Sequence, residues 1–212
     1  MTEGLYAGVS GKLLYGVNEK DFVILTKNNY NYSNNNNVMK LLNEYKKVLF
    51  DDEFNSRIDW LPEGITDIYI GNDFNQPLEN LPSTIKCIKI QSHNEKGAPY
   101  NKFNQLLDYL PIGLETLYIW FNANFNYPLD NLPPGLKYFV LFSNKFTQPL
   151  NNLPDSIEVI QISTFNYTNT KKLPANLKSI HITEPYNRNY CMKYQLLADL
   201  EEKYPNAKFT YR

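Results

Sequence analysis

The chain has 212 residues, with 21 Lys and Arg against 22 Asp and Glu and a formal net charge of −1. That balance, with a sequence pI of about 6.1, gives no electrostatic footprint for nucleic acid or an anionic membrane surface. No apolar run is long enough to span a bilayer, and "MTEGLYAGVSGK" lacks the basic segment and apolar core of a secretory signal.

In chain order, "KLLYGV" and "DFVILTK" flank Asn18-Glu19-Lys20 as a hairpin. A run of four Asn, Asn34 to Asn37, then supplies an N-cap for a helix over "VMKLLNEYKK". Asn is so abundant that single Asn residues carry little weight, and the sequons at Asn31 and Asn166 are expected by chance. From Leu61 onward the chain is periodic. Leu-Pro recurs at Leu61, Leu81, Leu110, Leu132, Leu153 and Leu173, at intervals of 20, 29, 22, 21 and 20 residues. After each, apolar residues fall at fixed offsets: Ile65, Ile68 and Ile70, then Ile85, Ile88 and Ile90, and so on to Leu177, Ile180 and Ile182. This is the L-x-x-L-x-L phrase of a leucine-rich repeat, and its last two apolar positions alternate with an outward residue, as one short strand per repeat requires.

A Phe precedes each Leu-Pro, at Phe54, Phe74, Phe103, Phe125, Phe146 and Phe165, and all but Phe146 are followed by Asn. The Phe and the strand apolars should stack from coil to coil, with Pro in non-helical returns and each Asn bonding backbone in its turn. A degenerate copy, Leu41-Leu42, Tyr45, Val48 and Phe50, precedes the first full one. At the far end "CMKYQLLADLEEKYP" reads as an amphipathic helix and "AKFTYR" as a closing strand. The expectation is one domain, 1–212: a leucine-rich-repeat-like solenoid with a parallel sheet of about seven short strands. Residues 1–53 form an N-terminal hairpin and helix cap with the degenerate copy, 54–182 the repeats, and 183–212 a C-terminal helical cap, since an uncapped solenoid end exposes core and sheet edge.

The phrase F-N-x-P-L-x-x-L-P-x-x-L-x-x-L-x-L, clearest in "FNQPLENLPSTIKCIKI" and "FNYPLDNLPPGLKYFVL", resembles the FNIP (IP22) repeat, a short leucine-rich-repeat variant known from social amoebae and giant viruses. The resemblance covers about residues 54 to 182, although "FNSRIDWLP" and "FNQLLDYLP" lose the Pro of the P-L pair. It implies an interaction scaffold, and many members carry an N-terminal F-box that recruits a cullin ubiquitin ligase. Here the first 50 residues do not match that three-helix module.

Chemistry is sparse. No phosphate-cradling glycine motif occurs. His93 and His181 lie on different coils without a partner at ligand spacing, and Asp51-Asp52-Glu53 reads as a solvated turn, so no metal site is expected. Cys87 and Cys191 read as free thiols of a reducing compartment, and Cys87 has no base beside it for nucleophilic use. No enzyme and no cofactor are therefore expected. The informative positions point out of the sheet. The central outward column is Tyr69, Lys89, Tyr118, Val140, Gln161 and His181, and its neighbours bring Trp120, Tyr138 and Phe142 beside it. Tyr69, Tyr118, Trp120, Tyr138, Val140 and Phe142 are the candidate binding residues, because Trp and Tyr dominate interface energies. The loop "QSHNEKGAPYNK", Gln91 to Lys102, is a secondary candidate. The expected function is non-enzymatic binding of an unidentified protein through this face, in the cytoplasm, or the host cytoplasm if the chain is viral. Substrate recognition for a cullin ligase and self-association as a homodimer stand as alternatives.

Overall fold

After each Leu-Pro, a pair of apolar residues separated by one outward residue forms a strand of only four residues in most coils. The computed structural model describes residues 22–26, 36–91, 101–122, 124–143, 145–163, 169–183 and 198–211. In order come β1 (Phe22–Leu25), α1 (Asn36–Glu44), β2 (Lys47–Phe50), β3 (Asp67–Ile70), β4 (Cys87–Ile90), β5 (Thr116–Asn122), β6 (Tyr138–Ser143), β7 (Val159–Ile162), β8 (Ser179–Ile182) and β9 (Lys208–Tyr211). The sheet follows chain order from β1 to β9, and every neighbouring pair is parallel. This is the expected solenoid.

The seven repeat strands are β2 to β8, and two more extend the sheet. β9 is the closing strand read from "AKFTYR". β1 was expected as half of a hairpin, but it runs parallel to β2, pairing Phe22 with Lys47 and Leu25 with Phe50. Its intended partner, 12–17, lies outside the described residues. The N-terminal helix starts inside the Asn run, at Asn36, and ends at Glu44, so that Lys47 already belongs to β2. Near the C-terminus residues 198–203 are helical, the described part of the expected cap.

One core runs the length of the stack. Ile68, Ile88, Leu117, Phe139, Ile160 and Ile180 are fully buried, as are Ile70, Ile90, Ile119, Leu141, Ile162 and Ile182. Behind them the phenylalanines form a ladder. Successive rings from Phe54 through Phe74, Phe103 and Phe125 to Phe146 stand 6.5, 6.3, 6.4 and 6.2 Å apart and nearly parallel. Phe165 lies outside the described residues. The spacing exceeds the roughly 4.8 Å between strands, as offset stacking of rings on successive coils allows.

Asn55, Asn75 and Asn126, each directly after a Phe, serve the neighbouring coil rather than their own turn. The N–H groups of Asn75, Asn104 and Thr147 donate to the Oδ1 atoms of Asn55, Asn75 and Asn126 at 2.9, 2.8 and 2.8 Å. Gln76, Gln105 and Gln148 add amide bonds to the same acceptors. The return has no strand ladder, so these side chains satisfy backbone donors that would otherwise need water. That explains why Phe-Asn is retained as a unit.

Candidate functional site

The outward columns are in the expected register. Tyr69 pairs with Lys89, Lys89 with Tyr118, Tyr118 with Val140, Val140 with Gln161 and Gln161 with His181. Alternation along each strand puts these residues on the face away from the core. β5 and β6 are the longest strands, and an irregular register between Ile119 and Asn122 carries Trp120 just past the regular ladder. Bulges of this kind re-aim side chains.

The aromatic residues of β5 and β6 meet. The Tyr118 and Trp120 rings stack at 5.4 Å and 10°, and Trp120 lies 3.9 Å from the Phe142 ring at a tilt of 50°. Tyr138 is exposed at the other end of β6. Val140 and Phe142 are buried, so they form a floor, while Tyr118 and Trp120 are half-buried and Tyr138 stands open. Burial pushes the Tyr118 phenol up to about 12, because it strips hydration from the phenolate.

Tyr69 belongs to a second cluster. It is buried against Phe22, edge-on at 4.9 Å, and beside Leu49. Its phenol is also raised to about 12, first by burial and then by Cys87 and Asp67. Lys89 joins the two clusters, with its ammonium 5.2 Å from the Tyr69 ring centre and 6.0 Å from that of Tyr118. A cation between two ring faces is held by their quadrupoles. Of the six candidate residues, five therefore gather on β5 and β6, and Tyr69 reaches them through Lys89.

Other expectations resolve more plainly. His181 is half-buried rather than exposed, with Nδ1 2.7 Å from Thr210 Oγ1. Cys87 is half-buried on the same face, and burial raises its thiol to about 11, which suits an inert thiol. Asp52 does more than solvate a turn, because its Oδ1 accepts the Asn72 N–H of the next coil. Among the described residues no cluster of His, Cys, Asp or Glu could hold a metal ion, and no helix is long and apolar enough to cross a membrane. His93, Cys191 and most of the 91–102 loop lie outside the described residues. One group of exposed apolar residues, Leu106, Tyr109 and Ile112 on the return of the third repeat, went unread in the sequence, where "FNQLLDYLP" looked only like a blurred copy.

The FNIP repeat family matches residues 50–93, the span from the end of β2 across the Phe54 and Phe74 repeats. No curated protein matches the chain.

Proposed function

Since the chain carries FNIP repeats, we propose that it is a non-enzymatic scaffold that binds a partner protein through the aromatic face of β5 and β6. The observation that carries this reading is the Tyr118–Trp120–Phe142 stack, with Tyr138 exposed at the other end of β6 on the same face. Soluble folds seldom leave a stacked Trp–Tyr pair on an outer sheet face, and such anchors concentrate binding energy. Lys89, already oriented by two rings, sets the complementary chemistry: an apolar side chain against Trp120 and a carboxylate or carbonyl near the ammonium. The partner segment is expected to lie across the strands, because the accessible residues run from column to column.

The test is affinity purification with the full chain as bait, from amoebal cytosol, the source that the FNIP resemblance suggests. The comparison is a Tyr118→Ala/Trp120→Ala variant shown to be folded. A protein retained by the natural sequence and lost from the variant supports the reading. Equal recovery from both, or recovery of the bait alone, overturns it.

A further inference from the structure

Among the described residues four large apolar side chains are exposed: Leu106 at 48%, Tyr109 at 70%, Ile112 at 73% and Tyr138 at 47%. Three of the four fall on a single return, at every third residue between Phe103 and Leu114. The core positions of that repeat, Phe103, Leu107, Leu110 and Leu114, are buried, as are Phe125, Leu129, Leu132 and Leu136 in the next. What has changed is only the outward set. At the place of Leu106 the flanking coils have Pro77 and Pro128, at that of Tyr109 they have Asn80 and Asn131, and at that of Ile112 they have Ser83 and Pro134. Stacking gives no reason for these three substitutions, since none of the three contributes to the buried core.

Beside this apolar row runs a column of carboxylates in four consecutive coils, Asp59, Glu79, Asp108 and Asp130, which gives way to Asn151 and Lys171 in the last two. Coils repeat about every 4.8 Å at the sheet, so like charges here repel unless countered. Arg57 counters the first two, at 2.7 Å from Asp59 and 3.1 Å from Glu79. Among the described residues Asp108 and Asp130 meet amide donors instead, Asn131 and Asn152 at 3.1 and 2.8 Å. Those bonds leave their charge in place. By the same pattern an Asn at position 109 would serve Glu79, and the chain has Tyr there.

We propose that this return face is a second docking surface, distinct from the sheet face, and that its occupant is a cationic amphipathic segment of a partner protein. Large apolar side chains of that segment cover Leu106, Tyr109 and Ile112, and its Lys or Arg residues sit on Asp108 and Asp130. An apolar row alone would accept many occupants, and the uncompensated carboxylates select this one. With both faces occupied, the chain would hold two partners on opposite sides of one thin solenoid.

The probe is a random displayed peptide library selected on the immobilised full chain. Winning peptides are synthesised and titrated against the natural sequence and three variants. Leu106→Pro/Tyr109→Asn/Ile112→Ser restores the residues of neighbouring repeats, Asp108→Asn/Asp130→Asn removes charge without changing shape, and Trp120→Ala alters the sheet face. The expected winners combine Lys or Arg with large apolar residues. They lose about tenfold or more in affinity on the triple variant, weaken on the Asn pair and with added salt, and bind Trp120→Ala unchanged. The Asn pair keeps the test open should the triple variant fail to fold. Neutral or acidic winners, no enrichment at all, or affinity indifferent to both return-face variants would overturn the proposal. So would light scattering that shows concentration-dependent self-association lost in the triple variant, because the occupant would then be a second copy.

Discussion

Phe125 and Trp120 are both large aromatic residues within one repeat of each other, yet their environments predict opposite consequences of removal. Phe125 is fully buried between Phe103 and Phe146, so Phe125→Ala leaves a cavity and should cost about 3–5 kcal/mol. Trp120 is half-buried and stacks on Tyr118 and Phe142 across the outer face, so Trp120→Ala should cost about 1 kcal/mol, the scale of aromatic pairing. Urea titration of both variants checks this, and comparable losses would move Trp120 into the structural core. The tyrosines carry a pH prediction. Tyr69 and Tyr118 stay protonated to about 12 in the fold, whereas an unfolded tyrosine ionises near 10. Between those values the folded chain holds more protons than the unfolded one, so stability falls as pH rises through that window. In Tyr69→Phe/Tyr118→Phe the decline of Tm above pH 10 should be shallower. An unchanged slope would mean that both phenols ionise at their ordinary value.

At the scale of one element against the next, two kinds of ladder can be compared. On the strand side an exposed column alternates in sign, Lys86, Glu115, Lys137, Glu158 and Lys178, with pairs at 3.9, 2.8 and 2.7 Å. The Lys137 partner holds Glu115 below the usual carboxylate range, but exposed pairs of this kind contribute little, about 0–1 kcal/mol. Their use is in register, since a slip by one coil would bring like charges together. The Asn ladder is different, because Asn75 accepts both the Asn104 N–H and the Gln105 amide. Asn75→Ala should therefore cost about 1–2 kcal/mol, more than Glu115→Gln, and it should do so independently of salt. A larger, salt-sensitive loss in Glu115→Gln would reverse that ranking. These ladders also explain what could be read in advance. Parallel strands of fixed register oblige the core to repeat, so Ile68, Ile88 and Leu117 announce one another in the sequence. Outward residues obey no such rule. The alignment of Tyr118, Val140 and Trp120 followed from the period, whereas burial of Val140, Phe142 and Tyr69 depends on side-chain contacts that periodicity does not encode. Tyr109 and Ile112 were overlooked for the same reason, since a departure from consensus looks alike whether it faces core or water.

Across the whole molecule each coil touches only its neighbours, so damage should spread locally rather than globally. The C-terminal end offers a clean case. Tyr204 follows the last helical residues, and its hydroxyl both accepts the Leu173 N–H at 2.6 Å and donates to the Leu173 carbonyl at 3.0 Å. That one side chain satisfies both backbone groups of a buried residue in the last repeat, and the chain beyond it, through Lys208, continues the sheet as β9. Tyr204→Phe keeps the ring and removes both bonds, leaving a buried donor and acceptor without partners, at a cost of about 1–3 kcal/mol. In a quasi-one-dimensional stack this loss should appear as faster amide exchange in β8, β9 and the Leu173 turn, fading toward β6 and absent at β3 and β4. The aromatic face of β5 and β6 should then retain its structure, and with it any partner binding. Uniform acceleration from β2 to β9 would instead show the solenoid to open as a single cooperative unit, with its caps and its binding face coupled.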